Sequence, residues 1–154
     1  LSDGNGQCWG KNDDNQLNIP SDLYPLKAIV AGAFHSCAFA NGRQLKCWGK
    51  DMNTRLEVPR YVSSAVSIAA GNWHSCALGS DGWPRCWGYN NYDQITIPSE
   101  MTPAVGLATG RYHNCTLSKD GELLCWGDNE WGQISDHTMA QRLRRCAPIQ
   151  TFFF

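Results

Sequence analysis

The sequence has no apolar run near the roughly 20 residues a membrane-spanning helix needs, so no helical span is expected. It also lacks a charge excess, with a net charge of -1 at pH 7 and a pI near 6.4. That removes any bulk electrostatic reason to bind nucleic acid or an anionic membrane. No signal peptide opens the chain, which reads as a mature protein or a fragment. Sustained helical periodicity is missing outside the tail, so an all-β fold is expected. There is no nucleophile motif, no phosphate-cradling loop and no carboxylate pair at a repeated position. No enzymatic activity, cofactor or metal is therefore expected.

What is abundant is cysteine, tryptophan and glycine: 8, 7 and 15 of 154 residues. An even, dense cysteine count implies disulfides made in an oxidising compartment, hence a secreted or extracellular chain. Cys-Trp-Gly begins at Cys8, Cys47, Cys86 and Cys125, a step of 39 residues each time. The same step links Pro20, Pro59 and Pro98, then Gly32, Gly71 and Gly110, then His35, His74 and His113. A period in this range marks a solenoid, a propeller or an array. The organisation read from it is one domain spanning 1–154, with a half-repeat at 1–20, repeats at 21–59, 60–98 and 99–134, and a divergent closing tail at 135–154.

Each unit reads as about four short strands, the pattern of a propeller blade. In the central unit these run through Ala65–Ala69, from His74, up to Cys86-Trp87-Gly88, and over Gln94–Pro98. A three-residue hairpin loop usually ends on a left-handed Gly. With Ser80-Asp81-Gly82 as that loop, Cys76 faces Cys86 at a spacing that suits a disulfide. The same register pairs Cys115 with Cys125 and Cys37 with Cys47. Cys8 and Cys146 are left over, and their pairing would close a ring within one chain or join two.

The phrases Ile68-Ala69-Ala70-Gly71-Asn72-Trp73-His74-Ser75-Cys76-Ala77-Leu78 and Asp81-Gly82-Trp83-Pro84-Arg85-Cys86-Trp87-Gly88 resemble the RCC1-like repeat. Within that family they are similar to the cysteine-bearing extracellular branch, seen in bacterial secreted proteins and Crinkly4-type receptor ectodomains. The resemblance covers roughly residues 1–134; residues 135–154 do not match. It implies a β-propeller with more blades than this chain supplies. That leaves a compact four-bladed ring, two chains sharing a larger propeller, or a fragment. Family roles include nucleotide exchange on a small GTPase, inhibition of β-lactamases and ligand sensing at cell surfaces. The first fits a disulfide-stapled chain poorly.

Candidate binding residues are the aromatics before each repeated His, namely Phe34, Trp73 and Tyr112, with Asn72 and Arg111 beside them. Clustered aromatics mark recognition of protein or sugar, whereas packing over the inner strands is the plainer explanation. Trp9, Trp48, Trp87 and Trp126 read as packing between blades. His35, His74 and His113 read as structural, with a His-Cys-Cys zinc site as the less favoured alternative. The turns at Asp13-Asp14-Asn15, Asn90-Asn91 and Asp128-Asn129 read as Asx turns rather than calcium loops. Asn114-Cys115-Thr116 is a glycosylation sequon on an expected strand. The function expected is a non-catalytic, lectin-like or protein-binding module. The alternatives are a structural protein assembling into oligomers or filaments through blade ends and the tail Phe152-Phe153-Phe154, and a secreted enzyme inhibitor.

Overall fold

The computed structural model describes residues 4–40, 45–51, 56–62 and 65–134. Among the described residues nine strands form three antiparallel sheets of three: β1 Leu26–Ala31, β2 His35–Ala40, β3 Leu45–Gly49; β4 Ala65–Ala70, β5 His74–Gly79, β6 Pro84–Gly88; β7 Ala104–Thr109, β8 His113–Ser118, β9 Leu123–Gly127. Each sheet is one blade, in the order first, second, third strand. The first strands pack in succession, β1 on β4 and β4 on β7, so they line the inner side of the array. Each carries a register shift at the same phase, between Leu26 and Ala28, Ala65 and Ser67, and Ala104 and Gly106.

The middle strands explain the close stacking. In β2 and β5 every residue is buried, on both faces. Their sequences, His-Ser-Cys-Ala-Phe-Ala and His-Ser-Cys-Ala-Leu-Gly, keep most side chains small, which lets a neighbouring blade approach on either side. The core therefore lies between blades. One cluster joins Cys37, Phe39 and Leu45 of the first to Ile68, Ala77 and Trp87 of the second, with Val62 from the connecting segment. The next joins Cys76 and Cys86 to Trp126, again with a connector residue, Met101. Leu23, Val62 and Met101 are one repeated position, a buried plug 39 residues apart.

The hairpin register is as expected: Cys37 opposes Cys47, Cys76 opposes Cys86 and Cys115 opposes Cys125. All three pairs are disulfides, with Cα atoms 4.0–4.1 Å apart. Gly82 and Gly121 have φ of 79° and 80°, the left-handed turn that reading required. Cys8 has no disulfide partner among the described residues, and Cys146 lies outside them.

Two expectations fail. The fourth strand over Gln94–Pro98 does not form; that segment is a run of tight turns. Asn90 Oδ1 accepts from the Ile95 amide at 2.9 Å, Asp93 is left-handed at φ 55°, and the Thr96 amide returns to the Asp93 carbonyl. The backbone groups are thus satisfied locally instead of by a ladder. Trp9 is also not packed between blades, being 85% exposed. Trp48 and Trp126 are buried because a preceding turn covers them, each indole donating at 3.0 Å to the carbonyl of Gln16 or Gln94. Among the described residues no such turn precedes Trp9.

Candidate functional site on the aromatic turn face

Each inner hairpin turns through Gly-X-aromatic-His. The Gly amide bonds the His carbonyl in all three turns, at 2.8–2.9 Å. The residue after the third strand clamps the turn from the other side: Lys50, Tyr89 and Asp128 donate their amides to the carbonyls of Phe34, Trp73 and Tyr112 at 2.9–3.0 Å. Successive turns are also bonded to each other, Ala33 N to Gly71 O at 3.3 Å and Asn72 N to Arg111 O at 3.2 Å. One continuous row results. These bonds fix the row, and its side chains at positions 34, 73 and 112 are half-buried.

All five candidate residues lie on this row. Phe34 and Trp73 stack, with centroids 4.1 Å apart and planes at 16°. Lys50 lies 5.7 Å over the Phe34 ring and Arg111 lies 5.1 Å over the Tyr112 ring. Tyr112 stands with two tyrosines that sequence reasoning did not single out, Tyr92 at 4.9 Å and Tyr89 at 6.0 Å. Beside them is an open pocket of about 440 Å³ whose lining includes Tyr92, Arg111, Tyr112, Asp128, Glu130 and Trp131. Trp131 is 84% exposed. Tyr92 and Trp131 occupy one repeated position, a signal that the 39-residue step carries. Desolvation foremost, then the neighbouring Tyr89, Tyr112, Asp128 and Glu130, push the Tyr92 hydroxyl above its ordinary pKa.

The histidines join blades. His35 Nε2 lies 2.7 Å from Ser75 Oγ, and His74 Nε2 lies 2.9 Å from Asn114 Oδ1. Asn114 donates its Nδ2 to the Gln94 carbonyl at 2.6 Å, so its Oδ1 accepts and His74 Nε2 carries the proton. His74 Nδ1 is then a lone pair, buried without a partner. Protonating it would bury an unpaired N–H. The cysteines a zinc site would use are consumed in bridges. Asn114 is wholly buried with its Nδ2 donating inward, so the sequon cannot carry a glycan in this packing. Of the acidic and amide-rich turns, Asp128 makes an Asx turn, its Oδ1 accepting from Glu130 N at 3.0 Å, whereas Asn90 and Asn129 reach five residues on, to Ile95 N at 2.9 Å and Ile134 N at 3.1 Å.

Burial above all, with the neighbouring His74 charge, lowers His35 from 6.5 to about 4. Burial also lowers His74, against the hydrogen bond that its ring donates to Asn114. The unfolded chain thus takes up protons first as pH falls. The stability these neutral rings contribute is complete above pH 6.5 and is lost progressively down to about pH 4. We expect a urea midpoint that falls between pH 6.5 and pH 5, by about 1–2 kcal/mol in unfolding free energy. Over this window most carboxylates stay charged. A flat profile there, or one unchanged by His35→Gln, would contradict this account.

The Regulator of chromosome condensation (RCC1) repeat matches residues 26–55, 65–94 and 104–133, each range taking in the three strands of one blade. This chain belongs to the RCC1 repeat family. Its RCC1 blades are similar to those of the entire ectodomain of the Physcomitrella patens receptor kinase CR4, at 27% identity and a TM-score of 0.64, covering 79% of this chain and 33% of that one. The CRINKLY WD40 ectodomain of the Arabidopsis thaliana receptor kinase ACR4 matches at 23% identity and a TM-score of 0.67, covering 81% and 44%. Prp20p from Saccharomyces cerevisiae matches at 22% and 0.66, covering 82% and 41%. The last two likenesses concern the fold alone. This chain spans less than half the length of each of these structures. No curated protein matches it.

Proposed function

We propose that this chain is a non-catalytic extracellular binding module that recognises a protein or carbohydrate through its aromatic turn face. The observation that carries the reading is the turn row itself. Backbone bonds within and between blades hold the turns, while the residue beside each aromatic varies as Ala33, Asn72 and Arg111. A rigid frame with varied side chains is how scaffolds present recognition residues. Three disulfides and the likeness to a receptor ectodomain support an extracellular setting. The test is binding to arrayed glycans and cell-surface ectodomains by the wild type and by Trp73→Ala, with melting curves to verify folding. A ligand whose affinity drops about tenfold or more in the variant is the expected result. No ligand, or one indifferent both to this change and to Tyr112→Ala, would defeat the reading.

A second reading, assembly through the blade ends, is supported by the exposed Trp9 beside Cys8. Mass measurement with and without reductant separates the two. A disulfide-linked dimer favours assembly, and a monomer in both conditions counts against it.

A further inference from the structure

The pocket on the third blade differs in charge from the rest of the turn row. At the position after the third strand the repeat carries Lys50, then Tyr89, then Asp128. On the first blade a lysine therefore covers the turn aromatic, with Lys50 over Phe34. On the third blade that place holds a carboxylate, and Glu130 adds another two residues on. Neither acid is in an ion pair among the described residues; the pairs there are Lys11–Asp13, Lys46–Asp22, Lys50–Asp14 and Arg85–Asp81. Two carboxylates against the single guanidinium of Arg111 leave the pocket net negative. Its walls are π faces: Tyr92, Tyr112 and the largely exposed Trp131. Arg111 lies over Tyr112, so the tyrosine cluster already accepts one cation. Aromatic faces beside unpaired carboxylates favour a cation, because ring quadrupole and negative charge act in the same direction.

We propose that this pocket takes a basic side chain, an ammonium or guanidinium group, presented by a partner polypeptide. The inference rests on the binding-module reading and names the chemistry of its ligand. A Lys or Arg side chain lays its apolar stem on Trp131 and sets its charged head between Tyr92 and the carboxylates of Asp128 and Glu130. Arg111, held on the Tyr112 ring, stands beside that place as its wall.

The test is calorimetric titration of the full chain with a hexalysine peptide, a hexaarginine peptide and a neutral chitooligosaccharide, at low and moderate salt. Binding of a basic peptide that weakens with salt is expected. It should fall at least tenfold in the double variant Asp128→Asn, Glu130→Gln and in Trp131→Ala. Glu100→Gln, which changes an exposed carboxylate elsewhere, should leave it unaltered. Equal losses in Glu100→Gln would mean diffuse attraction and overturn the proposal. So would sugar binding that ignores the double variant, although that result leaves the binding-module reading intact. Arg142, Arg144 and Arg145 lie outside the described residues. If peptide binding emerges only when all three are changed to Ala, the chain's own arginines occupy the pocket, and an external partner is ruled out.

Discussion

Complete reduction of Cys37–Cys47, Cys76–Cys86 and Cys115–Cys125 is expected to unfold the blades at ambient temperature. Each bridge joins residues 10 apart, and a loop of that size contributes about 2–3 kcal/mol. Three independent bridges sum to about 6–9 kcal/mol, comparable to the whole stability of a typical domain. Interior burial adds a kinetic order. Cys76 and Cys86 are both buried, whereas Cys115 and Cys125 are partly accessible, so the third blade should lose its bridge first. Far-UV circular dichroism during titration with a phosphine reductant, with mass mapping of alkylated cysteines, reads both effects. A reduced chain that keeps its urea midpoint would show that packing between blades suffices alone.

Gly71→Ala should be among the most damaging single methyl additions. A Cβ at Gly71 would lie 2.7 Å from the Gly110 carbonyl of the next blade and closer still to the His74 ring. Neither can retreat cheaply. The carbonyl is backbone, and the ring is wholly buried and bonded to Asn114. Overpacking of this kind costs about 1–3 kcal/mol, and loss of the joint to the third blade adds to it. We expect a melting temperature lower by about 10 °C. By comparison, Gly121→Ala meets no neighbour and pays only for its left-handed φ of 80°. Equal melting temperatures for the two variants would remove close approach between blades as the reason for Gly71.

The 39-residue step and the Gly-terminated hairpin made the strand register and all three bridges legible, because both are local and periodic. What was hidden depends on neighbours in space. Gln94–Pro98 has the alternation of a strand, yet the Asn90 side chain and a left-handed Asp93 coil it into turns. The wholly buried Gln94 holds the Tyr92 amide through its Oε1 at 3.0 Å, while its carbonyl serves both Asn114 and Trp126. Its recurrence as Gln16, Gln94 and Gln133 was the available clue. Asn114 matched a sequon in sequence, but Ser36 and Ser75 hold the same phase. Its longer side chain spans a joint. The candidate site was half legible. Phe34, Trp73 and Tyr112 do share a row, whereas Tyr89, Tyr92 and Trp131 meet it only through folding back of the connecting turns.

The backbone clamps on the turn row separate two selective pressures. Residues that keep the blades together are the glycines, histidines and cysteines, and these recur unchanged in phase. Positions 33, 72 and 111 contribute amide and carbonyl groups to the frame, for which side-chain identity matters little. Substitution there can change what the surface meets without disturbing how the chain folds. Tandem duplication of such a unit multiplies adjacent sites that diverge independently, a ready source of evolvability in recognition.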